Sequence, residues 1–150
     1  MRILLAIDDS PSSSDAVEIV AERSWPMSPA IRVLSIAKFV PAELHASPET
    51  RELSQQEATR MAERLTSRAT DVLRANNLMA DMAVRCGDAA DQIVSEAQEW
   101  SADLIVMGAN SYKSEGAQIH SVAQLIASSA PCEVEVIYEG EAADRRDPHW

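Results

Sequence analysis

A chain of 150 residues has the length of a single domain, and its net charge of −11 argues against nucleic acid or an anionic membrane as partner. The apolar fraction of 46% is almost wholly aliphatic, with aromatics at 4%, which suits a layered α/β core better than a small barrel. Cys86 and Cys132 belong to no C-x-x-C pair and are expected as buried structural thiols.

Arg2 to Ile7 is an unbroken apolar run, as in a strand buried on both faces. It is too short for a signal-peptide h-region, acids follow it at once, and no stretch approaches membrane-spanning length, so the expected location is cytoplasmic. In Asp8-Asp9-Ser10-Pro11, Ser10 suits an N-cap and Pro11 a first helical position; Ala16, Val17, Ile19 and Val20 then form the apolar stripe of a helix. Pro26 and Pro29 end it, and Ile31 to Ala37 is the second strand. Lys38 to Thr50, with Pro41 and Pro48, reads as a long surface loop. A long helix from Arg51 to Asn76 carries Met61, Leu65, Ala69, Val72 and Leu73 at three- and four-residue spacing.

Met79 to Cys86 is a weaker third strand, and Gly87-Asp88 leads into a helix with Ala90, Ile93, Val94 and Ala97 on one face. Leu104 to Met107 is the fourth strand. After the Gly108 loop, Ile119, Val122, Ala123 and Ile126 mark a last helix, which Pro131 ends before a fifth strand from Cys132 to Tyr138. Glu139 to Trp150 is charged and aperiodic and reads as a mobile tail. Strict alternation of strands and helices predicts one domain: a five-stranded parallel sheet with helices on both faces.

Ligands of such sheets bind at the carboxyl ends of the strands, where strand order reverses. The candidates there are Asp8 and Asp9, Ala37 and Lys38, Gly87 and Asp88, and Gly108 to Ser111. Asp8 and Asp9 admit three readings: helix capping, a metal site resembling the acidic pair of a response-regulator receiver, or a carboxylate that accepts from a nucleobase amino group. The receiver reading needs a lysine at the end of strand five, and Glu133 to Glu139 offers none. His45 and His149 have no partners at ligand spacing, so no metal site is expected, and no Ser-His-Asp arrangement is legible.

Four segments resemble the universal stress protein family: Ile3 to Ser10, Gly87 to Ile93, Ala102 to Gly108, and Ser121-Val122-Ala123 through Ala130-Pro131-Cys132-Glu133-Val134. The resemblance runs from Arg2 to Tyr138. It implies a Rossmann-like open sheet of strand order 3-2-1-4-5 that dimerises through its last strand, here Glu133 to Tyr138. One branch of the family binds ATP through a Gly-x-x-Gly-x₉-Gly-Ser/Thr motif after strand four; an Asp after strand one and backbone after strand two touch adenine. Another branch lacks the motif and does not bind ATP.

Carried onto this chain, the resemblance makes Asp8, Ala37, Gly108 and Ser121 matching positions, while Ser111 and His120 replace the second and third glycines and the intervening stretch is one residue short. A phosphate nest needs permissive backbone, and a serine forced left-handed there costs about 1 kcal/mol and brings a Cβ toward the phosphate. His120 would protrude into the triphosphate volume; against that, a protonated His120, Lys113 or a hinge at Gly116 could restore a cradle. The expectation is a stress-response or regulatory module, not an enzyme. Its adenine-nucleotide site is degenerate and needs no cofactor; the alternative is an ATP- or AMP-binding dimeric switch. On strand five, Val134, Val136 and Tyr138 alternate with Glu133, Glu135 and Glu139, so pairing two copies sets glutamates against each other. No protein partner is legible.

Overall fold

The computed structural model describes residues 1–37, 47–112 and 122–146. Five strands, β1 (Arg2–Ala6), β2 (Ala30–Ala37), β3 (Met79–Cys86), β4 (Leu104–Gly108) and β5 (Glu133–Ile137), form one parallel sheet in the order β3-β2-β1-β4-β5. The helices are α1 (Pro11–Glu22), α2 (Pro48–Ala75), α3 (Ala89–Trp100), α4 (Val122–Ser129) and α5 (Glu141–Arg146).

Strand β1 is central, with Ile3 opposite Ile31 of β2 and Leu104 of β4. This explains its unbroken apolar run: Ile3, Leu5 and Ile7 pack with α1 and α2, whereas Leu4 and Ala6 pack with α3 and α4. The chain steps from β1 to β2 and β3, then returns to β4 on the other side of β1. Strand order therefore reverses between β1 and β4, the place where ligands of such sheets bind.

The edge strand β3 is the weaker one in sequence because its layer is partly ionic. Arg32 of β2 and Arg85 of β3 both bond the largely buried Glu96 of α3, at 3.2 and 2.6 Å. Arg32 also pairs with Asp81 at 3.0 Å and lies over the Trp100 ring. The neighbouring charges raise the pKa of Arg32 and Arg85, chiefly through hydrogen bonds to Asp81 and Glu96 respectively.

Four expectations need correction. Helix α2 starts at Pro48, where Ser47 accepts from the Thr50 N–H at 3.2 Å, the same Ser-Pro cap that opens α1. The rest of the loop expected there, residues 38–46, lies outside the described residues. The tail expected from Glu139 contains α5, and Ala142 is buried in the core on the α1 side. The Gly140 N–H donates to Asp15 Oδ2 at 2.7 Å, and Glu141 Oε2 accepts from the Tyr138 N–H. A helix of six residues is too short to show a period, and these tertiary contacts hold it.

Glu135 is not a bare acid on β5: Arg23 of α1 donates to both its carboxylate oxygens, at 2.8 and 2.5 Å. Cys86 is exposed at the end of the edge strand and Cys132 is half-buried, so neither is a core thiol. Residues 147–150, and the expected start of the last helix at Ile119, lie outside the described residues.

Candidate functional site

At the end of β1 the chain turns through Asp8 and Asp9 into the N-terminus of α1. Ser10 caps that helix, accepting from the Ser13 N–H at 3.3 Å. Asp8 is half-buried, and both its carboxylate oxygens are engaged. Its Oδ1 accepts from the Ser10 N–H and the Ser13 hydroxyl, both at 2.9 Å, and its Oδ2 accepts from the Tyr112 N–H at 2.5 Å. Such bonds to a carboxylate are worth about 1.5–3 kcal/mol each, so they hold Asp8 in place and occupy most of its acceptor capacity.

Gly108 ends β4 directly against this helix start. A Cβ there would lie 2.3 Å from Ser12 Oγ and 2.6 Å from the Ser12 carbonyl carbon. Close strand-to-helix approach is thus what this glycine serves.

Residues 109–112 then fold back on the N-terminus of α1, and each of their backbone N–H groups has a protein acceptor. Ala109 donates to the Ile137 carbonyl at 2.7 Å and Asn110 to the Ser12 hydroxyl at 3.2 Å. Ser111 donates to the Gly108 carbonyl at 3.1 Å and Tyr112 to Asp8. Ser111 itself is buried, its hydroxyl 2.5 Å from that of Ser13. It is a staple between loop and helix, a role that its place as the replaced second glycine does not announce. The left-handed backbone anticipated at Ser111 falls instead on Tyr112, with φ of 60°.

Tyr112 is the residue that sequence reasoning missed. It is buried in the same core cluster as Ala6, Leu34, Ile36 and Met107. Its hydroxyl donates to the Ile7 carbonyl and accepts from the Ile36 N–H at 3.2 Å. Burial pushes the phenol pKa upward, an effect only partly offset by its hydrogen bonds with Ser35 and the Ile36 N–H. The available signal was an aromatic directly after the altered loop in a chain that has few aromatics.

Two cavities adjoin the site. One of about 180 Å³ lies between α2 and the ends of β1 and β2, lined by Asp9, Ile36, Ala37, Ala62, Leu65 and Tyr112. The other, of about 310 Å³, runs between α1 and α2 over Val17, Leu65, Ala69 and Val72, with Glu18 and Arg68 also on its wall. Asp8 lines both, and the smaller one adds Asp9 and Ser35 at the ends of β1 and β2, which makes it the better placed for a ligand. The structure thus brings Asp8, Ala37, Gly108 and Ser111 to one end of the sheet; His120, Ser121, Lys113 and Gly116 lie outside the described residues. Among the described residues no group of three or more His, Cys, Asp or Glu could hold a metal ion, and no helix is long and apolar enough to cross a membrane.

A Rossmann-like parallel sheet of order β3-β2-β1-β4-β5 defines the class. The chain belongs to the universal stress protein family, whose sequence profile matches residues 1–137. Its fold is similar to that of the universal stress protein UspA from Lactobacillus plantarum, at 23% identity and a TM-score of 0.68, covering 91% of this chain and 97% of that one. A universal stress protein solved in complex with cAMP is 19% identical, with a TM-score of 0.70 and coverage of 93% and 97%. A family protein from Arabidopsis thaliana with AMP bound is 18% identical, with a TM-score of 0.59 and coverage of 99% and 96%. No curated protein matches the sequence.

Proposed function

We propose that this protein is a regulatory module of the stress response, not an enzyme, whose adenine-nucleotide site binds ATP weakly or not at all. Similar folds carry AMP or cAMP, so an adenine nucleotide is the ligand class to weigh against this site. One observation carries the reading: the four N–H groups of residues 109–112 are all spent inside the protein. A phosphate cradle at this turn needs those donors turned outward. Releasing them forfeits about 0.5–1.5 kcal/mol for each of the three neutral bonds and about 1.5–3 kcal/mol for the bond to Asp8, so four together weaken phosphate binding by about 3–7.5 kcal/mol. The net charge of −11 adds long-range repulsion of a polyphosphate.

Isothermal titration with ATP and AMP tests this. The expected result is a Kd of about 1 mM or weaker; low-micromolar binding overturns it. The AMP- and cAMP-bound relatives favour a second reading, a nucleotide-dependent dimeric switch. That reading predicts instead a higher melting temperature in ATP and Mg²⁺.

We further infer a cytoplasmic homodimer paired through β5. The Arg23–Glu135 ion pair supports the pairing, because it removes part of the like-charge opposition along that edge.

A further inference from the structure

We propose that the edge strand β3 is an interaction surface for a second copy of this chain, the two strands pairing antiparallel about Ala83. The contact is independent of the pairing inferred at β5, because β3 and β5 are opposite edges of the sheet.

The strand is long and lightly guarded. All eight residues of β3 are in register with β2, so no bulge turns the strand away from a neighbour. It contains no lysine and no proline, the residues that commonly protect such edges. Its free backbone groups can be assigned from the ladder. The Ala30 N–H bonds the Met1 carbonyl and the Leu34 carbonyl accepts from the Ile7 N–H, so these residues of β2 face β1. The alternate residues of β2 therefore bond the odd-numbered residues of β3, and the N–H and C=O groups of Met82 and Val84 face outward. The Arg74 guanidinium covers the outward carbonyl of Ala80 at 2.8 Å, which lies outside the stretch from Asp81 to Arg85. Met79 and Met82 stand 70% and 46% exposed along this border.

The order of charges selects the occupant. Asp81 and Arg85 project on the α3 side of the sheet, where Asp81 pairs with Arg32 and Arg85 with Glu96. Antiparallel pairing about Ala83 sets Met82 opposite the second copy's Val84. Both face outward, so they exchange backbone bonds as a hydrogen-bonded pair. The same register sets each Asp81 opposite the other copy's Arg85, on one face and at the closer, non-hydrogen-bonded spacing. Moving the centre to Met82 or Val84 sets Asp81 opposite Ala83 or Gly87 instead, and the charge pairing is lost. An edge with charges of one sign repels its own copy; this edge, in a single register, attracts it. The net charge of −11 opposes approach at long range, so the contact is reversible and its specificity comes from the register.

The experiment traps the contact in the full chain. In a background of Cys86→Ser and Cys132→Ser, Ala83→Cys sets a thiol against its own copy at about 4.5 Å between Cα atoms, a separation that a disulfide spans. Oxidised glutathione is expected to give a covalent dimer on a non-reducing gel. Met79→Cys in the same background is the control: its two copies stand about 27 Å apart in this register, and it is expected to cross-link at least tenfold more slowly. Adding Asp81→Arg or Arg85→Asp to Ala83→Cys is expected to slow cross-linking about tenfold. Mixing the two charge-reversed chains is expected to restore the rate, because each then meets the opposite charge at both positions. Equal rates for Ala83→Cys and Met79→Cys overturn the proposal, as does a mixture of folded chains that fails to recover. Circular dichroism reports folding. If a charge reversal unfolds the chain by releasing Arg32 or Glu96, the ratio of Ala83→Cys to Met79→Cys decides alone: a tenfold excess supports the register and parity overturns it.

Discussion

Gly108 and Tyr112 show how little room separates β4 from α1. Adding a methyl group at Gly108 drives it to 2.6 Å from the Ser12 backbone, which cannot yield as a side-chain tip can. Gly108→Ala is expected to cost about 1–3 kcal/mol, read as a lower urea midpoint at unchanged slope. Tyr112→Phe strips the hydroxyl from the Ile7 carbonyl and the Ile36 N–H and is expected to cost about 1–3 kcal/mol at neutral pH. Its effect also carries a pH signature. Burial raises the phenol pKa in the folded state, so the unfolded chain releases that proton first as pH rises. The stability from Tyr112 is therefore complete below pH about 10 and is lost above it. Between pH 8 and 11, urea unfolding should show a steeper loss in the wild type than in Tyr112→Phe; parallel losses would exclude the effect.

Sequence reading reached Asp8 and Gly108 as members of one strand-end cluster because each follows directly on an apolar run. It could not reach Tyr112, whose position depends on a left-handed backbone that no neighbouring residue announces. It also saw in Ser111 only a replaced glycine, since a hydroxyl bonded across 98 positions to Ser13 leaves no local trace.

Among the elements, strand and helix order was legible from hydrophobic runs and Ser-Pro caps, whereas α5 was hidden by its brevity. Strand β5 was read as one apolar and one acidic face; the structure divides its acids between exposed Glu133 and arginine-paired Glu135. That division makes the proposed dimer testable at the level of the strand. Arg23→Ala releases Glu135 toward the edge and is expected to weaken self-association severalfold, measured by sedimentation velocity across a dilution series. An unchanged dissociation constant would separate this ion pair from assembly.

At the scale of the whole molecule, the two cores meet on a central strand whose end is closed by the protein's own side chains. The closure joins three parts of the chain: β1 through Ile7 and Asp8, α1 through its serines, and the turn after β4. In a relative that takes AMP, folding and occupancy are linked, and a ligand adds to stability. On the reading proposed above, the corresponding stabilisation here is already inside the fold.

The inward-turned amides after β4 therefore have a physiological corollary. On the reading proposed above, a protein whose cradle is already satisfied would neither sense the adenylate pool nor change shape when the cell's energy supply falls. Its influence would then follow the number of copies synthesised and degraded, placing control in expression and turnover.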